Sequence, residues 1–306
     1  MNYSVCGIKE KIDNTLDIGS WYAFEVATTC CFIVGMYIFI ALVRHELING
    51  KFKGPYLKPA FMMKVTVMLS SFCFTVCTIL LQVEALGYFS GKHFPCASLY
   101  RAFSMFLMVG LTSTYIFLWL RQYVFYRTSR FEHTNNIAVR AISTLVIILF
   151  FLHFAVLIVV FSITPMTTWS KNVGCHFFPL GINWIKFLVF LRVVPVSTTV
   201  ILFGLFIYPL CRTERNSTSS NDIDGDENLK SDIKRAIRIS IYSTAACFLS
   251  DLFAMISSGA GRCSEISAFG INVFNILSLL INIVTLIFTY ENPGQILFGC
   301  CYRSGD

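Results

Sequence analysis

The chain has 306 residues, of which 56% are hydrophobic and only 13% charged, with 30 phenylalanines and a mean hydropathy of +0.67. A water-soluble domain of this length needs far more charged surface, so the composition excludes a soluble globular protein and makes lipid the main solvent. The net charge of +7 does not mark a nucleic-acid binder, because the cations lie between apolar blocks and report topology instead.

Residues 1–20 are polar and are expected to form an extracellular tail; the apolar block that follows is too long for the core of a cleavable signal peptide. Seven blocks then reach the roughly 20 residues needed to cross a bilayer. They are Trp21–Val43, Ala60–Val83, Ala97–Leu120, Ile137–Phe161, Asn183–Leu210, Ala236–Ser258 and Ser267–Tyr290. Hydrocarbon offers the backbone no hydrogen-bond partner, so each block is read as a helix. The connections are short except for residues 211–235, where a Ser-, Asn- and Asp-rich stretch is expected to be a mobile loop. Its serines, Ser217, Ser219 and Ser220, precede acids and could accept phosphate, although an ordinary linker has the same composition. After the last block, "ENPGQILFG" opens with Asn292 as an N-cap and Pro293 at the first helical position. The expected fold is an all-α membrane protein: a seven-transmembrane helix bundle over residues 21–290, followed by a short amphipathic surface helix and cytoplasmic tail over 291–306.

Orientation follows from the Lys and Arg count. With the amino terminus outside, 15 cations fall on the inner side and 7 on the outer, leaving Lys64 and Arg192 within helices. The positive-inside rule therefore predicts an outside amino terminus and a cytosolic carboxyl terminus. Asn2, in "NYS", is then an exposed glycan acceptor, whereas Asn216, in "NST", is inside and silent.

Twelve cysteines sort by compartment. Cys30, Cys31, Cys73, Cys77 and Cys247 lie within helices as small apolar packers. The oxidising outer side carries Cys6, Cys96, Cys175 and Cys263, which allow three pairings. Cys96 opens the third helix and Cys175 lies in the second outer loop; they are read as one bridge, leaving Cys6 and Cys263 either as a second bridge or free. Cys300 and Cys301 follow the carboxyl-terminal amphipathic segment, where lipidation is expected.

This arrangement resembles a rhodopsin-like (class A) G-protein-coupled receptor, and the resemblance covers Trp21 to Cys301. In that family an Asp/Glu-Arg-Tyr motif ends the third helix about 25 residues after its cysteine, and here Arg121 falls 25 residues after Cys96. The acid of the motif is replaced by Leu120, and Gln122 follows the arginine. Pro195 matches the fifth-helix proline. Phe248, in "CFLS", stands where the sixth-helix tryptophan is expected, and Tyr290 occupies the level of the seventh-helix tyrosine. The seventh block has no lysine for a retinal Schiff base, and Phe103 and Ser104 stand where a biogenic-amine receptor would carry an aspartate, so neither an opsin nor a receptor of the biogenic-amine class is expected. The resemblance implies a divergent, plasma-membrane receptor that converts binding of an unidentified extracellular ligand into opening of a cytoplasmic G-protein site. Arg121, Gln122 and Tyr290 would serve that site, with a heterotrimeric G protein and arrestin as partners. No enzyme activity, metal or cofactor is implied.

Charges at bilayer depth need a partner or a route to water. Glu25, Lys64 and Arg101 lie near helix ends and can reach the interface. Arg192 and Asp251 lie roughly 13 Å and 10 Å from the outer ends of the fifth and sixth helices. They are expected to pair, either structurally or with one partner yielding to a ligand, so that Phe103, Arg192, Phe248 and Asp251 form the expected ligand pocket. The alternative function is a seven-helix transporter or ligand-gated chemoreceptor channel, against which the chain has no inverted repeat. His153 is the lone histidine of the fourth block and is read as a packing residue.

Overall fold

A computed structural model describes residues 18–48, 59–90, 95–127, 137–163, 167–170, 174–177, 193–205, 207–208, 241–242, 244–253, 268–290 and 293–298. In chain order the elements are α1 (Ile18–Ile48), α2 (Pro59–Ser90), α3 (Cys96–Arg127), α4 (Ile137–Ile163), β1 (Thr167–Ser170) and β2 (Gly174–Phe177). They continue with α5 (Val193–Leu205) and α6 (Thr244–Phe253), then α7 (Ala268–Ile287) and α8 (Pro293–Phe298). Four of these, α1 to α4, are long and apolar enough to cross a membrane. The described parts of α5, α6 and α7 are apolar but shorter. The apolar helices mark a membrane-embedded protein.

Local sequence explains several boundaries. Proline opens α2 and α8, where its fixed φ fits and its missing N–H is not needed. At the start of α3 the Pro95 carbonyl accepts from the N–H groups of Ser98 and Leu99, each at 3.1 Å. Beyond α7 the chain tightens: Thr289 N–H donates to the Leu286 carbonyl and Tyr290 N–H to the Ile287 carbonyl, both at 3.0 Å. These i→i−3 bonds satisfy carbonyls that a helix end would otherwise leave open. α1, α2 and α3 run several residues past the apolar blocks read from the sequence, because a helix persists into the interface wherever no breaker stops it.

α2 and α3 form the centre and α1 and α4 the periphery. Just over half of the apolar window is buried in α2 and α3 (56% each), against 28% in α1 and 22% in α4. Ile33, Ile40, Ile148, Phe151, Leu152 and Val159 are exposed on those outer helices, a face that suits lipid and would be unfavourable in water. Small residues let the central helices approach. A Cβ on Gly110 of α3 would lie 3.0 Å from Leu279 of α7 and 3.2 Å from the Cys73 Cβ of α2, so three helices meet at a position without a side chain. Beside it, Ser70 of α2 donates to the Gly110 carbonyl and lies 3.1 Å from the Thr114 hydroxyl. Gly35 of α1 serves the same purpose against the ring of Phe74.

β1 and β2 form an antiparallel hairpin in which Trp169 pairs with Cys175. It touches α3 through β1, and α2 and α7 through β2. The hydropathy pattern did not foresee these strands, since four residues each give too little alternation to read. α8 also departs from expectation. Its Ile296 is buried in the main core and the helix packs on α1, where the Tyr37 hydroxyl donates to the Leu297 carbonyl. The apolar side of this short helix is therefore spent partly on protein.

Of the three charges expected to reach the interface, only Arg101 is exposed, while Lys64 and Glu25 are partly buried and held by protein partners. Lys64 Nζ lies 2.7 Å from Glu46 Oε2, joining the end of α1 to the start of α2. Arg101 and Arg140 are exposed. With its amide turned to the satisfied orientation, Gln82 of α2 donates to Glu25 Oε1 at 2.6 Å. Cys31, Cys73, Cys77 and Cys247 are buried free thiols, while Cys30 is free and exposed. No disulfide joins the described side chains. Cys6, Cys263, Cys300, Cys301 and Asn2 lie outside the described residues, and of Cys96 and Cys175 only the backbone is described.

Candidate functional site

Asp251 of α6 is buried, at 7% exposure, and a carboxylate in such a place must be answered by donors. The Tyr115 hydroxyl of α3 donates to Asp251 Oδ2 at 2.5 Å. Thr199 Oγ1 of α5 lies 3.5 Å from the same oxygen, and 3.0 Å from the Pro195 carbonyl, which is its closer acceptor. Asp251 thus joins α3 to α6 strongly and to α5 weakly. The Tyr115 ring is itself held, stacked on Phe150 of α4 with centroids 4.5 Å apart. One residue before the aspartate, Ser250 donates to the Ser278 carbonyl at 2.9 Å and lies 2.7 Å from its hydroxyl. α6 is therefore tied to α3 on one side and to α7 on the other by two consecutive residues.

A cavity of about 40 Å³ lies against this contact, lined among others by Thr112, Tyr115, Phe150, His153, Pro195 and Asp251. That is space on the order of one to three water molecules, in a wall carrying a carboxylate, two hydroxyls and an imidazole. His153, expected to be a packing residue, is buried on this wall. Tyr115 and Thr199 were not singled out in the sequence. A tyrosine within an apolar helix looks like packing, and only the three-dimensional pairing with a residue 136 positions away reveals it.

Six residues beyond Tyr115, or about 9 Å along the helix, stands Arg121. It is partly buried, and its Nη1 is shielded from solvent with no hydrogen-bond partner among the described residues. Gln122 is fully buried, and neither its Nε2 nor its Oε1 has a partner there. Leu120, at the position of the missing acid, is buried and offers the arginine no countercharge. Glu227 and Asp232, acids of the loop between the fifth and sixth blocks that would be the nearest substitutes in the sequence for that acid, lie outside the described residues. This end of α3 is anchored by its neighbours: the Trp119 indole donates to Ser143 Oγ of α4 at 2.9 Å, and the Tyr126 hydroxyl to the Leu205 carbonyl of α5 at 2.6 Å. Tyr290, just past α7, is partly buried and packs against the main core.

The four expected pocket residues do not share one cavity. Asp251 lines the Tyr115 cavity. Phe103, buried at 3% exposure, lines a separate small cavity with Glu84, Tyr100 and Asn272. Phe248 is partly buried in α6 and lines neither. Arg192 lies outside the described residues, so the expected Arg192–Asp251 pair is not described. The bond to Tyr115 also revises the depth of Asp251. Tyr115 is 19 residues from the Cys96 end of α3 and 12 from the Arg127 end, which sets the contact in the inner half of α3, deeper than the roughly 10 Å from the outer end counted for Asp251 along the sequence.

No protein-family model matches the chain, and no curated protein matches it.

Proposed function

We propose that the protein is a divergent G-protein-coupled receptor of the plasma membrane, with seven membrane-spanning helices, an extracellular amino terminus and a cytoplasmic carboxyl terminus. The observation that carries this reading is Arg121. A cation serving only to fix topology would sit in headgroups and water. Arg121 instead keeps a shielded guanidinium nitrogen, beside the buried amide of Gln122, and neither has a hydrogen-bond partner among the described residues. A buried donor or acceptor without a described partner calls for an explanation, and the receptor reading supplies one for this neighbouring pair. In that reading the partner is the carboxyl-terminal helix of a heterotrimeric G protein, with arrestin as a competitor for the same surface.

The mechanism then runs through α6. In the resting state the Tyr115–Asp251 bond holds α6 against α3. A ligand bound nearer the outer side shifts the bundle towards a state in which this bond is relaxed and the inner end opens. Arg121, Gln122 and Tyr290 border the opened space. This assigns to the Tyr115–Asp251 contact the restraint that the acid before the arginine supplies in the family. The same reading gives the hairpin a Cys96–Cys175 bridge to the head of α3, a glycan on Asn2 and palmitate on Cys300 or Cys301.

The test is a G-protein activation screen of wild type beside Arg121→Ala at matched surface expression. The reading predicts guanine-nucleotide exchange on at least one G-protein class that the substitution removes. Unchanged exchange in the variant counts against it.

A further inference from the structure

Glu84 of α2 is buried at 6% exposure, lines a cavity separate from the one beside Tyr115 and Asp251, and is not used by the mechanism above. Six residues separate it from Ser90 at the end of α2, so it lies about 9 Å below that end. Tyr100 and Phe103 come from the first two turns of α3, and Asn272, buried at 6% exposure, from the second turn of α7. These four side chains, with Leu80 and Leu99, line a cavity of about 10 Å³. The three helices that build it are the three touched by the β1–β2 hairpin.

The Glu84 carboxylate makes no hydrogen bond or ion pair to another described residue. Such a group within a membrane protein needs a partner. The surroundings say what kind. The cavity has room for about one water-sized group, which is also the size of an ammonium head. Two aromatic rings offer their faces or edges to a cation, and the Asn272 amide can accept one of its protons. No other anion is needed, and an acidic ligand would be repelled.

We propose that the Glu84 cavity is a recognition site for the ammonium group of a ligand. The absence of an aspartate beside Phe103 in α3 removes only the usual source of the carboxylate; α2 supplies one against the same phenylalanine. This inference deepens the receptor reading by naming the class of its ligand, and it rests on that reading only for the ligand's signalling role. The ammonium belongs either to a small free amine or to the amino terminus of a peptide, and both present the same group to Glu84.

The test uses the full chain in lipid nanodiscs, with binding read from the concentration dependence of thermal stabilisation. The probes are a panel of primary arylalkyl- and alkylamines that includes 2-phenylethylamine, a set of short peptides with free amino termini, and the N-acetylated form of each. At least one free amine or peptide should stabilise the wild type, and its acetylated form should not. Glu84→Gln should weaken that binding roughly tenfold or more, the loss of one charge-assisted contact, and Glu84→Asp should retain part of it. The two probe sets distinguish a small amine from a peptide. Circular dichroism and size-exclusion profiles establish that each variant is folded, and if Glu84→Gln is not, Glu84→Asp and Asn272→Leu carry the comparison. Stabilisation by no amine in either set, by acetylated and free forms alike, or equally in wild type and Glu84 variants overturns the proposal. Because no G protein takes part, amine binding without nucleotide exchange would reject the coupling reading and leave this site standing.

Discussion

Tyr115 and Asp251 meet in a buried contact whose two partners can be altered separately. Tyr115→Phe removes one hydroxyl and leaves the stack on Phe150 in place. A hydrogen bond to a buried charge contributes about 1.5–3 kcal/mol, on the order of a ten- to hundredfold change in a two-state ratio. If the bond exists only in the resting state, Tyr115→Phe and Asp251→Asn should each raise basal nucleotide exchange by about tenfold or more; unchanged basal exchange in both would remove the contact from the mechanism. Thr199→Val serves as a contrast. Its hydroxyl is 3.5 Å from the carboxylate and bonded more closely to the Pro195 carbonyl, so basal exchange should move less than about threefold, since contacts of this length are weak. Position along the chain could show that Asp251 was buried. It could not show which face of α3 it would meet, because counting residues down two antiparallel helices leaves their relative rotation open. The same gap hid Glu84, which looks in the sequence like one more acid near a helix end.

At the scale of the elements, the close approach of α1 to α2 depends on Gly35, and that of α2, α3 and α7 on Gly110. Gly35→Val would drive a branched side chain into the Phe74 ring, and overpacking of this kind costs about 1–3 kcal/mol. Its thermal midpoint should fall by several degrees, with α2–α3 contacts unaffected. Gly204 of α5 has nothing among the described residues within 4 Å of an added Cβ. Gly204→Ala should therefore be neutral or stabilising by up to about 1 kcal/mol, the helix propensity difference. Equal losses at both glycines, measured by thermal unfolding in the same detergent, would contradict the packing described. The helices themselves were legible because hydrocarbon leaves the backbone no alternative. Their ends were read short, since hydropathy falls in the interface before hydrogen bonding does. The hairpin was missed for want of length, and the seating of Ile296 of α8 against the core for want of any local signal: an apolar residue on a short amphipathic helix serves lipid or protein equally well.

For the whole molecule, the central position of α3 is the unifying feature. It contacts α2 through Ser70 and Thr114, α4 through Trp119 and Ser143, α5 through Tyr126 and Leu205, and α6 through Tyr115 and Asp251. A helix bonded to so many neighbours can transmit a displacement at one end into a rearrangement at the other, provided one of those contacts has two states. Topology is the first condition for this account. Glycosylation mapping should find a glycan on Asn2 and none on Asn216, and the reverse would invert the protein in the membrane and favour the chemoreceptor-channel alternative. The most direct test of the central claim combines the two ends of the proposed switch. Wild type, Asp251→Asn, Arg121→Ala and the double variant are reconstituted in nanodiscs, and nucleotide exchange is measured on purified heterotrimeric G proteins of each class. The account predicts that Asp251→Asn raises exchange by about tenfold or more on one class and that adding Arg121→Ala returns it to the level of empty discs. Exchange that survives in the double variant, or no exchange above empty discs from any variant with any class, would contradict it.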